Sequence, residues 1–170
     1  YLCNNLFDLK LTGMQGDVMK ESMSIAKTLA WSLTSSAKQA SLVEKFDKTK
    51  VQGIHIHCPE GAVPKDGPSA GTAITVAIYS VLNNKPIKNN VAITGEITLQ
   101  GDVTAIGGLE LKILGGMKAN VTTFIFPKDN ENNYNKFKEK YDKDGFLDGI
   151  TFVSVSHIKE VLKLVLHKKI

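Results

Sequence analysis

Arginine is absent from this chain, in which all 21 basic residues are lysines against 17 acidic residues, for a net charge of +4. Arginine is the side chain best suited to bidentate contacts with phosphate and guanine. The lysines are also interspersed with acidic residues, as in 136–144. The positive balance therefore indicates a solvated surface and argues against a nucleic-acid-binding face.

Cysteine is scarce and long apolar runs are missing. The two cysteines, Cys3 and Cys58, are too few for a disulfide framework and fit a reducing compartment, with one structural bridge between them as the alternative. No run of 18 apolar residues occurs, so we expect no membrane span. Residues 1–10 have the character of neither a signal peptide nor a transit peptide, so we expect any targeting segment of a precursor to have been removed.

The 170 residues are 42% hydrophobic, which is enough for one domain with a real core. Apolar periodicity predicts helices over 17–39, 69–82, 109–119, 130–141 and 157–166, and strands over 51–58, 91–99, 103–106, 122–126 and 150–155. The polar stretch 41–50 is predicted to be a helix end and loop. The mixture of a hairpin with strand–helix–strand units predicts an α+β domain rather than a doubly wound parallel sheet.

Residues 59–68 carry three prolines and two glycines and are predicted to form a rigid loop before the helix at 69–82. Ser69 would stand at the helix start, where free N–H groups suit the oxyanion formed when a serine attacks a carbonyl. Ala70 and Gly71 leave room for a substrate backbone. A serine after a proline is also an ordinary helix cap, so spacing alone leaves both interpretations open.

Two histidines, His55 and His57, would share one face of the strand before this loop. Their simplest interpretation is a half-buried sheet face, with a Ser–His pair as an alternative. A zinc site with Cys58 is disfavoured because Cys58 would point to the opposite face and no fourth ligand has suitable spacing. The loop also lacks the Walker pattern and G-x-G-x-x-G, so no metal or cofactor is expected in this domain.

Four segments, in order along the chain, resemble Lon proteases. Residues 64–71, PKDGPSAG, resemble the active-site signature of that family. The early loop and helix are matched by 11–13 with 16–22, and the central hairpin by 94–99 with Gly101. Gly107-Gly108-Leu109 followed by Lys112 resembles the lysine segment. Lys112 follows Ser69 by 43 residues, as in that family.

This resemblance implies a serine endopeptidase with Ser69 as nucleophile and Lys112 as general base. It places Thr94 beside this dyad as an orienting residue. Three further residues would lie near the active site in less defined roles: Glu96, Asp66 and His57. The implied fold is the α+β Lon proteolytic-domain fold, related to that of a small-subunit ribosomal protein and of several small-molecule kinases, with residues 1–170 as one such domain.

The resemblance also implies an assembly and an ATPase domain that are not contained in this chain. Lon proteases degrade unfolded or damaged proteins in protein quality control, as six-membered rings that use ATP and Mg²⁺ in an AAA+ domain. This chain has no G-x-x-x-x-G-K-[ST], so that domain is expected to lie elsewhere in the parent protein. We expect protein substrates, no nucleic acid and no membrane. The expected location is intracellular, in the mitochondrial matrix or another organelle rather than a bacterial cytoplasm.

The chain departs from the family pattern at several positions. Glu110-Leu111 stands where the family usually has a charged pair, and Gly115-Gly116 with Met117 replaces an alanine-rich stretch. Gln100 replaces an arginine, and Asp102 is atypical. The first ten residues match poorly, so the opening strands of the family are expected to be shortened or missing. These changes affect the residues around the dyad, whereas Ser69 and Lys112 themselves are kept.

A lysine acts as a base only when uncharged, whereas the free side chain has a pKa of about 10.4. Burial disfavours the charged form. Four apolar neighbours predict such burial for Lys112: Leu109, Leu111, Ile113 and Leu114. Neutral Lys112 would take the Ser69 proton during attack on a peptide carbonyl, Thr94 would hydrogen-bond the amine, and water would hydrolyse the acyl-enzyme.

Two other classes of protein use related folds. A non-catalytic Lon-like assembly domain, attached to some DNA-repair ATPases, need not keep both Ser69 and Lys112, so the intact pair argues against it. A nucleic-acid-binding module on the ribosomal version of the fold is disfavoured because arginine and a basic–aromatic patch are both missing.

Overall fold

The computed structural model describes residues 8–50 and 53–167. The α-helices within them are α1 (Asp17–Leu33), α2 (Ser36–Thr49), α3 (Gly71–Asn83), α4 (Leu109–Lys118), α5 (Glu131–Tyr141) and α6 (Ile158–Val165). The strands are β1 (Asp8–Thr12), β2 (Gly53–His57), β3 (Val91–Ile93), β4 (Glu96–Ile97), β5 (Val103–Thr104), β6 (Thr123–Pro127) and β7 (Thr151–Val155).

The described strands form three small sheets. Strands β1 and β2 pair in parallel, β3, β6 and β7 form a parallel sheet in that order, and β4 and β5 form an antiparallel hairpin. Helices alternate with the parallel strands, whereas the hairpin has no helix between its strands. The prediction of an α+β domain is confirmed.

The central strand β6 separates two parts of the core. Ile125 packs into a cluster with Val155 of β7 and Val161 of α6. Phe124 and Phe126 pack on the opposite face, in a cluster with buried side chains of α4 and α5. Successive residues of a strand point to opposite faces. The sequence of a strand that is buried on both sides is therefore a continuous run of apolar residues. Helix α4 is anchored to the second cluster by its buried apolar face.

Helices α1 and α3 pack closely because their facing residues are small. Ala26 and Ala30 of α1 are fully buried between the two helices. A Cβ added to Gly71, the first residue of α3, would lie 2.6 Å from Ser22 Oγ and 2.8 Å from Ile97 Cγ2. The start of α3 is therefore pressed between α1 and the hairpin, which fixes the position of the turn that precedes it.

The single helix predicted over 17–39 is wrong, because the chain breaks after Leu33. Thr34 is extended, and its hydroxyl turns back to donate to Ala30 O at 2.9 Å. Ser35 then caps α2 by accepting a hydrogen bond from Lys38 N at 3.4 Å. Serine and threonine favour such local bonds at helix ends, and these bonds compete with continuation of the helix.

The loop predicted over 41–50 is also wrong, because α2 continues to Thr49. None of the residues of α2 is fully buried. Its sequence therefore has only a weak helical repeat of apolar residues. Leu42 and Phe46, one helical turn apart, pack against the α1–α3 part of the core. Two apolar side chains in a lysine-rich stretch gave too little signal against the many polar residues around them.

Two strands differ from the prediction. Strand β1 was not predicted, and it lies in register with β2 so that Leu11 is opposite Ile56. The strand predicted over 91–99 is interrupted, because Thr94 and Gly95 leave the sheet between β3 and β4. The hairpin predicted between this strand and 103–106 is confirmed as β4 and β5.

Some predictions fall on residues outside the described part of the chain. The predicted strand over 51–58 begins at 51 and 52, which are not described, and continues as β2. The alternative bridge between Cys3 and Cys58 also involves a residue outside the described ranges. Among residues 8–50 and 53–167, no helix is long and apolar enough to cross a membrane.

Gly13 lies at a backbone position that we expect to tolerate no other residue. Its φ is +101°, and a Cβ there would lie 1.9 Å from the carbonyl oxygen of Cys58. Gly13→Ala should therefore destabilise the domain by about 2–4 kcal/mol, measured by thermal or urea unfolding. Gly61→Ala is the matched control, because its Cβ would meet no atom within 4 Å. Equal stability of the two variants would contradict this account.

Candidate active site

The proline- and glycine-rich loop is fixed at its centre by Lys65. Its backbone bridges the residues after β1, since Gly16 N donates to Lys65 O at 2.7 Å and Lys65 N donates to Met14 O at 3.0 Å. The Lys65 ammonium donates to two carbonyl oxygens of its own loop, Glu60 O at 2.8 Å and Val63 O at 3.0 Å. The loop is thus folded on itself and tied to the start of α1.

Asp66 joins the same loop to α1. Its Oδ1 accepts hydrogen bonds from Met19 N at 2.9 Å and Gly67 N at 2.8 Å. The N-cap of α1 is Gly16, which has no side chain to satisfy the first N–H groups, so Asp66 performs that task from across the loop. A Cβ on Gly16 would lie 2.3 Å from Asp66 Cγ, so glycine is needed for this approach.

We expect this role of Asp66 to be separable from any chemical role. Asp66→Ala removes both hydrogen bonds and should cost about 1–2 kcal/mol of stability in thermal unfolding. Asp66→Asn keeps an acceptor oxygen in the same place and should retain both stability and peptide cleavage. Loss of cleavage in a fully stable Asp66→Asn variant would show instead that the carboxylate takes part in the chemistry.

Ser69 lies in the turn directly before α3, because the helix begins at Gly71, two residues later than predicted. The turn is closed by Gly71 N donating to Pro68 O at 3.0 Å, and no side chain caps the helix. The N–H groups of Ser69 and Ala70 donate to no acceptor within the described ranges. Free N–H groups beside a serine hydroxyl are suited to stabilise an oxyanion.

The carbonyl of Ser69 is held by the segment that interrupts the strand prediction. It accepts hydrogen bonds from Gly95 N at 2.9 Å and from Thr94 Oγ1 at 3.3 Å. The carbonyl of Gly95 accepts in turn from the N–H and the hydroxyl of buried Thr72, at 3.1 Å and 2.9 Å. The departure from strand geometry after Ile93 therefore positions the turn that presents Ser69.

A pocket of about 210 Å³ brings Ser69, Thr94 and Lys112 together. It lies between the start of α3, strands β3 and β6, and helix α4. Its remaining lining is apolar: Ala70, Ala92, Ile93, Leu109, Ile113, Phe124, Ile125 and Phe126. The pocket thus brings a hydroxyl, an amine and free N–H donors together beside an apolar wall. This combination fits the chemistry of a hydrolase with a nucleophilic serine.

Two details of the predicted dyad geometry differ in the structure. Lys112 is exposed and Nζ donates to Gly107 O at 3.1 Å, so the predicted burial is wrong in this state. The apolar residues next to it do not cover it, because helical neighbours point in different directions and Leu111 is 75% exposed. The predicted hydrogen bond from Thr94 to the amine is also not formed, since Thr94 donates to Ser69 O.

His57 lies outside the Ser69 pocket. Its Nδ1 and the Nε2 of His55 lie 2.8 Å and 2.9 Å from the same atom, Thr12 Oγ1. Both histidines are exposed on the outer face of β2, so the prediction of a half-buried face is wrong. In the described residues, no group of three or more His, Cys, Asp and Glu side chains could hold a metal ion.

Glu96 lies on the other side of the turn that holds Ser69. It lines a smaller pocket, of about 120 Å³, with Pro68 and with Glu21 and Ser22 of α1. Glu96 is exposed and does not line the pocket that holds Ser69 and Lys112. Of the four supporting residues implied by the resemblance, the structure places only Thr94 in that pocket.

Asn130, which was not predicted from the sequence, fixes the chain before α4. It is buried, and its side chain accepts from Ile106 N and donates to Ile106 O, both at 2.9 Å. This amide holds the backbone of Ile106 as a neighbouring strand would. Asn130 lies in a stretch rich in asparagine and lysine, so composition gave no signal that one asparagine was buried.

A family model for the Lon protease (S16) C-terminal proteolytic domain matches residues 3–168. The match covers nearly the whole chain, including the loop, the Ser69 turn and helix α4. The chain belongs to this family, which is a family of serine peptidases.

Curated relatives agree with this family. The chain is 45% identical over 156 residues to Lon protease 1 of Bacillus subtilis, covering 91% of the chain and 19% of that protein. It is 42% identical over 158 residues to Lon protease of Buchnera aphidicola subsp. Schizaphis graminum, and this match covers 93% of the chain and 19% of that protein. The chain is 43% identical over 161 residues to Lon protease of Brevibacillus choshinensis, and this match covers 95% of the chain and 19% of that protein. The chain spans about a fifth of the length of these relatives.

Proposed function

We propose that this chain cleaves peptide bonds with Ser69 as nucleophile and Lys112 as general base. The observation that carries the proposal is that both residues line one pocket, with Ser69 at the uncapped start of α3. The names of the relatives, which are proteases, support protein substrates. We propose unfolded or damaged proteins among these, as the resemblance to Lon proteases implies.

The base step requires Lys112 to leave its contact with Gly107 O and reach Ser69 Oγ across the pocket. An amine inside the pocket is surrounded by the side chains of Leu109, Ile113 and Phe124, which favour its uncharged form. The uncharged amine then accepts the hydroxyl proton as Ser69 Oγ attacks the substrate carbonyl.

The oxyanion step uses the backbone of the nucleophile turn. When Oγ bonds to the carbonyl carbon, negative charge develops on the carbonyl oxygen. The N–H groups of Ser69 and Ala70 are the donors that this oxygen would meet, aided by the positive end of α3. The two hydrogen bonds on Ser69 O keep this turn in place during the attack.

The acyl-enzyme forms when the tetrahedral intermediate collapses and the peptide C–N bond breaks. Protonated Lys112 gives its proton to the leaving amine, which departs as the first product. Lys112 is then uncharged again and takes a proton from the water that attacks the ester at Ser69. Collapse of the second intermediate returns the proton from Lys112 to Ser69 Oγ and releases the product as a carboxylic acid, which loses its proton to water.

The remaining parts of the proposal concern a longer parent protein. Because the chain spans about a fifth of its relatives, ATP dependence, Mg²⁺ and an AAA+ domain would belong to the other four-fifths. A hexameric ring is proposed from the resemblance to Lon proteases. The relatives named above are bacterial, so the earlier preference for an organelle finds no support in them.

The test is proteolysis by the protein in its full natural length. Casein and a fluorogenic peptide are incubated with it, with and without ATP and Mg²⁺, and products are identified by mass spectrometry. The proposal predicts cleavage of both substrates, faster cleavage of casein with ATP, and loss of cleavage after treatment with a serine-directed phosphonate. Cleavage that survives complete phosphonate treatment would contradict a serine mechanism.

A further inference from the structure

Helix α4, which carries Lys112, follows two glycines that hold its start weakly. Asn130 fixes the backbone at Ile106, but Gly107 and Gly108 come next, and a Cβ on either would meet no atom within 4 Å. Gly108 has a φ of +69° and has no side chain to cap the helix. The first turn of α4 is therefore held by contacts of its own side chains, of which buried Leu109 supplies the apolar part.

Glu110 supplies polar contacts of this kind. Its Oε1 accepts hydrogen bonds from Lys140 Nζ and from Tyr141 Oη, both at 2.7 Å, and so joins the first turn of α4 to the end of α5. The hydrogen bond from Lys140, followed by that from Tyr141, holds the pKa of Glu110 below its usual value. The bond to Glu110 raises the pKa of Lys140, so both groups are charged at neutral pH.

Tyr141 is the better fixed of the two partners. Its ring packs against Phe137, with ring centroids 4.8 Å apart, and against Phe146 at 5.7 Å. Phe137 is fully buried in the cluster that also holds Leu109 of α4. The Tyr141 hydroxyl is thus a donor on a packed ring, whereas the Lys140 side chain is 60% exposed and adds charge to the contact.

We propose that Glu110 is a positioning residue for the peptidase reaction, fixing the first turn of α4 through Tyr141 and Lys140 and so placing Lys112 at the pocket. This inference rests on the proposed function of Lys112. Lys112 lies two residues after Glu110, and its amine contacts Gly107 O within the same turn. The resemblance does not supply this role, because Glu110-Leu111 departs from the family pattern.

The experiment measures kcat and KM for a fluorogenic peptide in the full-length protein. Glu110→Ala and Tyr141→Phe should each lower kcat by about 10-fold, since a small displacement of a catalytic group is costly. KM should change less than about twofold, because substrate binding is not altered. Tyr134→Phe is the matched control, because it removes a hydroxyl from the same aromatic cluster and Tyr134 makes only ring contacts in the described part of the chain.

A charge swap separates positioning from general stability. Glu110→Lys combined with Lys140→Glu restores an ion pair between α4 and α5. We expect this double variant to recover kcat relative to Glu110→Lys alone. Melting temperatures are recorded for every variant, and kcat is measured well below the lowest of them. A merely structural role would lower melting temperature and leave kcat of the folded protein unchanged.

Two outcomes would overturn the inference. The first is an unchanged kcat in both Glu110→Ala and Tyr141→Phe, and the second is an equal loss in the Tyr134→Phe control. If Glu110→Ala does not fold, Tyr141→Phe decides the matter, because it removes a single oxygen atom. Ser69→Ala is assayed in parallel. Cleavage by that variant would refute the proposed function and this inference with it, whereas an inactive Ser69→Ala confines any failure to Glu110.

Discussion

Replacing Ser69 with alanine is expected to lower peptide cleavage by at least about 10⁴-fold, because removal of a nucleophile leaves only binding and oxyanion stabilisation. The hydroxyl lies in a pocket, at the end of a turn held by hydrogen bonds from Thr94 and Gly95. The substitution removes one oxygen atom, and the backbone contacts of the turn do not depend on it. Folding should therefore be retained, and cleavage of a fluorogenic peptide is the measurement.

Ser41→Ala is the matched control for this variant. Ser41 is exposed on α2, far along the chain from the nucleophile turn, and lines no part of the Ser69 pocket. Its loss should leave cleavage unchanged. Ser69→Ala protein that is folded and still cleaves the peptide at the parent rate would remove the nucleophile from the proposal.

Replacing Lys112 with methionine is expected to lower kcat by about 10²–10⁴-fold, the usual contribution of a general base. Methionine keeps the unbranched apolar chain and removes the amine. Because Lys112 is exposed and, within the described ranges, its amine hydrogen-bonds only to Gly107 O, its loss should have little effect on stability. The measurement is kcat for the fluorogenic peptide, with thermal unfolding recorded alongside.

Lys118→Met tests whether any exposed lysine of α4 would have the same effect. Lys118 is in the last turn of the same helix and does not line the pocket. We expect the full parent rate from it. If both lysine variants lost activity equally, or if Lys112→Met remained fully active, a base role for Lys112 would be excluded.

Much of the fold followed from apolar periodicity, because buried faces repeat regularly in long elements. Helix α3 and strand β6 are buried and were predicted to within two residues of their ends. Helix α2 was missed because its contact with the core comes from two side chains in a polar stretch. Tertiary packing, which a single sequence does not contain, decides such marginal segments.

Only part of the candidate site could be predicted from the sequence. The position of Ser69 beside a helix start followed from the proline and glycine pattern, and Lys112 came only from resemblance, since 21 lysines give composition no means of choosing one. The contacts of Asp66 and Glu110 join segments far apart in sequence. No local pattern encodes such pairs, so only the folded structure reveals them.

The state of Lys112 is the clearest case of a property that neighbours in sequence do not determine. Four apolar residues around it predicted burial, yet Lys112 is exposed, because Leu109 and Ile113 are buried in the core without covering it and Leu111 is itself 75% exposed. The pocket beside it is apolar because of residues from β3, β6 and α4, with Ala70 from the turn before α3. The uncharged amine that the mechanism requires therefore depends on entry into this pocket.

The most direct test is the rate at which a peptide phosphonate reacts with Ser69 in the full-length protein. The adduct is located by mass spectrometry of the peptide that contains Ser69, in the parent protein and in Lys112→Met. The proposal predicts one adduct, on Ser69, that forms at least about 10²-fold more slowly without the Lys112 amine. An adduct on another residue, or an equal rate at Ser69 in both proteins, would contradict it.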